Sequence, residues 1–211
     1  FVLPESLAPE NRRPFSWRRA NPVGAFAALK RLPSVLGLAE SYFILMFAQN
    51  MLFSTWALYT DHRYGWTPLW IGLSLMVSGL LSGFVQAVLV RRIVPALGET
   101  RAVVLGMSIS CAGQLAYGLA PHGWMIFAII GVTSFAGISG PALQSYVTRH
   151  VPPTEQGAVQ GVFAGLMSLA GIFAPMLATW SFGWAIAPDS AVYLPGIAFF
   201  ETALLVGLAL W

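Results

Sequence analysis

Of the 211 residues, 57% are hydrophobic and 9% are charged, against about a quarter charged in soluble domains. That deficit excludes an ordinary soluble domain and points to an integral membrane protein. The formal net charge of +3 does not argue for nucleic-acid binding, because the basic residues lie in short segments beside apolar runs, as in membrane proteins.

The single cysteine, Cys111, sits in an apolar run and excludes an internal disulfide. His62, His122 and His150 fall in three separate loops, so no metal-ligand spacing is present. There is no GxSxG elbow, phosphate loop or HExxH. The chain is therefore expected to be no enzyme and to need no cofactor or metal.

In chain order, residues 1–4 read as the tail of an apolar helix, and the start lacks the basic region of a signal peptide. Residues 5–32 are polar and proline-containing, with Arg12, Arg13, Arg18, Arg19, Lys30 and Arg31. They read as a cytoplasmic loop. Asn21 and Pro22 supply a cap and first-turn signal, and residues 25–31 are either a short interfacial helix or flexible chain.

Six apolar runs follow, each near the roughly 20 residues needed to cross the hydrocarbon core: about 34–60, 68–90, 101–120, 123–148, 155–182 and 192–211. Six crossings put both ends of the segment on one side, with Arg91, Arg92, Arg101, Arg149 and the six basic residues before the first span. Only Arg63 of the eleven positive residues falls on the other side. The positive-inside rule makes the crowded side cytoplasmic, in the plasma membrane. Trp56, Tyr59, Tyr64, Trp66, Trp70, Trp124, Trp180, Trp184 and Tyr193 mark the opposite boundary as an aromatic belt.

Polar residues within the spans are the candidates for function. Gln49 and Asn50 lie near mid-membrane in the first span, either lining a cavity or bonding to a neighbouring helix. Ser78, Ser82 and Gln86 form one stripe in the second, beside Gly79 and Gly83, which read as a packing face. The third span holds Ser108, Ser110, Cys111 and Gln114. The fourth carries Gly137, Gly140, Pro141, Gln144 and Ser145. Gly157, Gly161 and Gly165 in the fifth, spaced by four, are expected to face another helix. Further along, Gly171 and Pro175 suggest a bend. Glu40 and Glu201 are the acidic groups in or beside spans, either proton sites or carboxylates reaching the headgroups.

The string G-I-x-x-P-A-L-Q from Gly137 to Gln144, followed by Arg149, Val151, Gln156-Gly157 and Gln160-Gly161, resembles the tenth-to-eleventh helix hairpin of major facilitator superfamily drug/proton antiporters. It is most similar to the tetracycline-efflux branch. Leu3-Pro4-Glu5-Ser6 resembles the exit of the sixth helix in such twelve-helix proteins. The loop R-R-I-V-P-A-L-G-E-T-R-A resembles a worn copy of the superfamily's cytoplasmic signature, matching at Gly98 and Arg101. The branch's intramembrane aspartate falls at Ser110 and its histidine at Ser82, so both titratable groups are missing.

The resemblance implies an all-α membrane protein with a six-transmembrane-helix bundle over residues 33–211, one half of a twelve-helix fold. A preceding six-helix half would be its partner. The implied function is proton-coupled export of a hydrophobic drug-like small molecule, such as tetracycline, by alternating access. Gln49, Asn50, Ser82, Gln86 and Gln144 would meet the substrate. Glu40 and Glu201 would be the proton-coupling candidates. Gly98, Arg101, Gly137, Gly140, Pro141, Gly157, Gly161, Gly165 and Pro175 would serve packing and gating. The alternative is a self-contained six-helix channel or carrier acting as a homo-oligomer.

Overall fold

The computed structural model describes residues 33–151, 156–190 and 193–210. The expected loop over residues 1–32 and the hairpin tip at Pro152, Pro153 and Glu155 lie outside them. Among the described residues six helical rods form the bundle: α1 (Pro33–Tyr64), α2 (Pro68–Leu97), α3 (Glu99–Leu119), α4 (residues 123–150), α5 (Gln156–Ala185) and α6 (Ile197–Leu208). Four of them, α2 to α5, contain stretches long and apolar enough to cross a membrane. The first rod is longest but carries Gln49 and Asn50 at its centre, which makes it more polar. The last is shorter than the expected 192–211 run. It starts only after Pro195 and Gly196, and 12 residues rise about 18 Å.

Proline and glycine set the rod ends. Pro68 opens α2 behind Thr67, whose backbone is extended, because the fixed φ of proline suits a first helical turn and its missing N–H costs nothing there. Gly65 ends α1 at φ +63°, with its N–H on the Asp61 carbonyl at 2.7 Å, a left-handed glycine cap. At φ +83°, Gly98 both ends α2 and starts α3. A side chain at that φ would be strained. This accounts for the glycine at 98 in the worn signature, and Arg101 beside it is exposed.

Two rods are irregular at one place. In α2 a π-helical turn spans Val85–Leu89, and in α4 a 3₁₀ segment spans Ser134–Ile138. These segments pack on each other. Pro141 is thereby explained. It lies in the first turn of the helical segment that restarts at Ser139, where its absent donor has no intrahelical acceptor to miss. In contrast, Pro175 sits inside α5, which remains one helix from Gln156 to Ala185.

The most extensive helix contacts are α3 on α4, followed by α1 on α5 and α3 on α6. Helix α5 packs through Val159, Val162, Phe163, Leu166, Ala170, Ala174 and Ala178, all buried. The expected helix contact of Gly157, Gly161 and Gly165 is not made with any helix among the described residues. A Cβ on any of the three would meet nothing within 4 Å, and the same is true of Gly79 and Gly83 in α2. Both glycine faces turn outward from the bundle, because the larger alanine, valine and phenylalanine side chains already fill the inward face of α5.

The glycines that do allow close approach are others. A Cβ on Gly106 would stand 2.8 Å from Ser139 Cβ, one on Gly113 would collide with Thr133 Cγ2, and one on Gly196 would stand 2.6 Å from the Gly118 carbonyl oxygen. Accordingly, Gly161→Leu is expected to leave the thermal stability of the detergent-solubilised bundle within about 0.5 kcal/mol, as for surface changes. Ala174→Leu, on the packed face, should cost about 1–3 kcal/mol by overpacking. Equal losses in thermal unfolding would contradict this assignment of faces.

The aromatic belt divides in two. Trp70, Trp124, Trp180, Trp184 and Tyr193 are exposed, as a belt requires. Trp56, Tyr59 and Trp66 are instead buried in an aromatic cluster with Tyr117 and Phe199. Their polar ends are tied inside the protein: Trp56 Nε1 donates to Ser74 Oγ at 3.0 Å, Tyr59 Oη to the Tyr117 carbonyl at 2.7 Å, and Tyr64 Oη to the Ala120 carbonyl at 2.8 Å. Buried aromatic hydroxyl and indole groups need such partners, and the open carbonyls at the end of α3 supply two of them.

Candidate transport cavity

A cavity of about 460 Å³ lies between α1, α2, α3 and α4. Gln49 and Phe53 reach it from α1, and Ser78, Ser82 and Gln86 from α2. Ser110, Gln114 and Tyr117 reach it from α3, and α4 supplies Thr133, Ser134, Ala136, Gly137, Ser139, Gly140 and Pro141. The polar stripe of α2 thus faces the cavity, as does Gln49, while Gly79 and Gly83, about 100° away on the same helix, do not.

The lining divides by depth of burial. Gln49, Phe53 and Gln86 are exposed and form its mouth. Gln114, Tyr117, Ser134 and Ser139 are buried and form its floor. The irregular turns of α2 and α4 meet at its wall. Gln86 follows the first residue of the π turn, and Gly137 lies in the 3₁₀ segment with its Cβ position 4.0 Å from Gln86 Nε2. Turns of these kinds inside helices are frequent at functional sites. Among the described residues no charged side chain lines the cavity. It is an apolar container with neutral hydroxyl and amide groups, the composition expected for binding a small organic molecule.

Several expected site residues fall elsewhere. Asn50 is absent from the cavity lining. One residue past Gln49 it is turned by about 100°, so it faces Gly171 of α5, and its Nδ2 donates to the Met46 carbonyl of its own helix at 2.8 Å. The reading of Asn50 as a substrate residue is thereby corrected to a helix-contact residue in this half. The side chains of Gln144, Ser145 and Arg149 lie outside the described residues. Gly137, Gly140 and Pro141 line the cavity.

The two acidic candidates also lie outside the lining. Glu40 is exposed near the start of α1. Glu201 is half-buried in α6 and accepts a hydrogen bond from Ser181 Oγ of α5 at 2.8 Å. Because Phe199 meets Tyr59 edge-to-face with centroids 4.5 Å apart, Glu201 sits near the Tyr64 end of α1. Glu40 lies roughly 25 Å of helix rise from that level, at 1.5 Å per residue. Two carboxylates so far apart cannot form one proton site. Among the described residues, no group of three or more His, Cys, Asp or Glu could hold a metal ion.

Gln114 was named only among the polar residues of the third span and not as a substrate contact, and Tyr117 and Thr133 were not anticipated as lining residues. Gln114 and Ser110 are one turn apart on α3, so the spacing was visible. The Tyr117–Thr133 hydroxyl pair, at 2.8 Å, depends on the approach of α3 to α4 at Gly113 and has no local signature.

Comparison with known proteins agrees with this architecture. The chain is 33% identical over its whole length to the class C tetracycline resistance protein of Escherichia coli, covering 50% of that protein. To the class H tetracycline resistance protein of Pasteurella multocida it is 29% identical, over 92% of this chain and 48% of the relative. The chain therefore spans about half the length of the curated relatives it matches. The crystal structure of the human organic anion transporter MFSD10 (TETRAN) superposes with a TM-score of 0.81 at 25% identity, over 98% of this chain and 51% of that one. Residues 2–175 match the model of the Major Facilitator Superfamily. With a six-helix bundle corresponding to half of a twelve-helix fold, and a family model covering most of its length, this chain belongs to the Major Facilitator Superfamily.

Proposed function

We propose that this chain is the C-terminal six-helix half of a secondary transporter that exports a hydrophobic, drug-like small molecule such as tetracycline, coupled to proton entry, by alternating access. The observation that carries the reading is the uncharged cavity, which gathers Gln49, Ser82 and Gln86 from two helices against apolar walls. Such a lining orients a neutral or zwitterionic compound without a fixed counter-ion. The names of the tetracycline resistance relatives support the substrate class, and family membership supports transport rather than enzymatic catalysis.

The remaining parts follow from this reading. The outward faces of α2, with Gly79 and Gly83, and of α5, with Gly157, Gly161 and Gly165, are the surfaces against which the other six-helix half would move. Gly137, Gly140 and Pro141 bring an irregular α4 to the cavity wall, where gating would deform it. Gln144, two turns of helix past Gly137, would extend the polar lining towards the cytoplasmic end. The segment is oriented with both ends cytoplasmic in the plasma membrane, as the placement of Arg91, Arg92 and Arg101 supports. Ser82 and Ser110 supply hydroxyls where the tetracycline-efflux branch carries titratable groups. The proton site is then sought at Glu201, tied to Ser181, with Glu40 second.

The test is tetracycline accumulation in cells producing the full transporter. Gln49→Leu and Gln86→Leu should each raise intracellular drug several-fold at unchanged protein level in the membrane. Glu201→Gln should abolish the dependence of export on the pH gradient while tetracycline binding persists. Unchanged export in both glutamine variants across a panel of hydrophobic drugs would refute the cavity as the substrate site.

A further inference from the structure

Most hydroxyls along the rods bond back to a carbonyl one turn earlier. Thr55 donates to Met51, Ser74 to Ile71, Ser108 to Val104 and Ser168 to Ala164, at 2.7–2.9 Å. In a membrane helix this satisfies the hydroxyl where bulk water is absent. Ser78 and Ser82 of α2 and Ser110 of α3 do not follow the pattern. Their hydroxyls have no hydrogen-bond partner among the described residues, and all three line the cavity. Nor are they sealed off. Among the described residues the side-chain atom that is both sealed and unpartnered is Gln114 Oε1. The three serines therefore keep a donor and an acceptor each, open to the space they line.

The lining is also divided by helix. Every residue it takes from α2 and α3 carries a polar group, whereas five of the six from α1 are apolar, among them Leu45, Met46, Leu52 and Phe53. Gln49 is the exception on α1. The hydroxyls that α4 adds, on Thr133, Ser134 and Ser139, donate to its own carbonyls.

Trp56 fixes a common level for three helices. Its Nε1 donates to Ser74 Oγ of α2 at 3.0 Å, and its ring meets that of Tyr117 of α3 edge-on at 5.3 Å. From that level the rise to Gln49 on α1 and to Ser110 on α3 is about 10 Å, and to Ser82 on α2 about 12 Å, all towards the Gln86 end of the cavity, at 1.5 Å per residue. Gln49, Ser82 and Ser110 thus converge at one depth, with Ser78 one turn nearer Trp56.

We propose that the cavity is a two-faced site. Ser78, Ser82 and Ser110 form a neutral hydrogen-bonding edge for a flat, uncharged ligand that carries hydroxyl or carbonyl groups side by side along one edge. The apolar residues of α1 take its opposite edge. This rests on the transport reading above and adds to it the class of compound selected. An isomer with its polar groups on opposite edges must press one of them against α1 without a partner, and unpaired buried groups are what make such sites discriminate.

The test compares two isomers, 2,3-dihydroxynaphthalene and 2,6-dihydroxynaphthalene, which differ only in where the hydroxyls stand. Binding is measured by calorimetry on the detergent-solubilised full transporter, with a metal chelator present and empty micelles as reference. The wild type should bind the 2,3 isomer about tenfold more tightly, the size of one buried hydroxyl left unpaired. Combining Ser82→Ala with Ser110→Ala should reduce the preference to below about threefold, through loss of affinity for the 2,3 isomer alone. Ser108→Ala, whose hydroxyl is tied to the Val104 carbonyl on the exposed face of α3, should change neither affinity.

A preference that survives the double serine variant overturns the proposal. So does an equal loss of both isomers, which would mark the serines as holding water or structure and not the ligand's edge. The wild-type comparison needs no variant to fold: equal binding of the two isomers overturns the two-faced site by itself. If in that case Gln86→Leu weakens both isomers, the cavity still binds ligands and the transport reading stands. A wild type that binds neither isomer sinks both.

Discussion

Gly113→Ala is expected to destabilise the bundle by about 1–3 kcal/mol or more, the cost of forcing one extra carbon into a packed helix contact. The added Cβ would overlap Thr133 Cγ2. The threonine cannot simply rotate, because its hydroxyl holds the Ile129 carbonyl at 2.9 Å and receives the Tyr117 hydroxyl at 2.8 Å. The companion change Thr133→Ser removes Cγ2 and keeps the hydroxyl. It should restore most of the lost stability, so the double variant melts nearer the wild type than Gly113→Ala alone. Thermal unfolding in detergent of the wild type, the two single variants and the double variant measures the coupling. Additive losses, with no rescue by serine, would show that α3 and α4 do not meet at this pair. The same cycle bears on function, since Tyr117 and Thr133 line the cavity floor and shift with the contact.

Tyr59 is the second position where a large effect is expected. It is fully buried in α1, its ring meets Phe199 at 4.5 Å and Tyr64 at 5.8 Å, and its hydroxyl donates to the Tyr117 carbonyl at 2.7 Å. Tyr59→Ala should cost about 3–5 kcal/mol, as other large-to-small aromatic truncations in packed interiors do. Tyr59→Phe keeps the ring contacts and removes only the donor, leaving a buried carbonyl at the end of α3 unpaired, for about 1–3 kcal/mol. An exposed aromatic of the same end, Trp124, should lose less than about 1 kcal/mol on change to Ala when assayed in detergent. If Tyr59→Phe and Trp124→Ala both cost nothing, Tyr59 belongs to the membrane boundary and not to the aromatic cluster.

These two residues mark the division between what was legible and what was not. Low charge, six apolar runs and the crowding of arginines on one side require nothing but local composition, and they sufficed for a membrane bundle. Helix ends were less clear: the expected runs stop at about 60 and 90, whereas α1 continues to Tyr64 and α2 to Leu97, where Gly65 and Gly98 end them. The polar stripe Ser78, Ser82 and Gln86 was visible because a helix repeats every 3.6 residues whatever lies beside it.

Which face meets which neighbour was not visible in the same way. The glycines at 157, 161 and 165 have the spacing of a helix contact, yet within this chain α5 packs through the alanines and valines on another face. Gly106 and Gly113, which have a looser pattern, are the ones pressed against α4. Spacing shows that a face is smooth but does not say whether a partner lies against it. Likewise Trp56 and Trp124 look alike in sequence. One is buried because α2 offers it Ser74, and the other is exposed because no helix among the described residues covers it. In the cavity, Gln49 and Asn50 are adjacent amides, and a rotation of 100° separates them: only Gln49 enters. That the buried Oε1 of Gln114 lacks a partner among the described residues depends on what the facing helices present to it. Composition and period are properties of one helix. Partners, cavities and unmet hydrogen bonds are properties of several helices at once, and only the tertiary structure decides them.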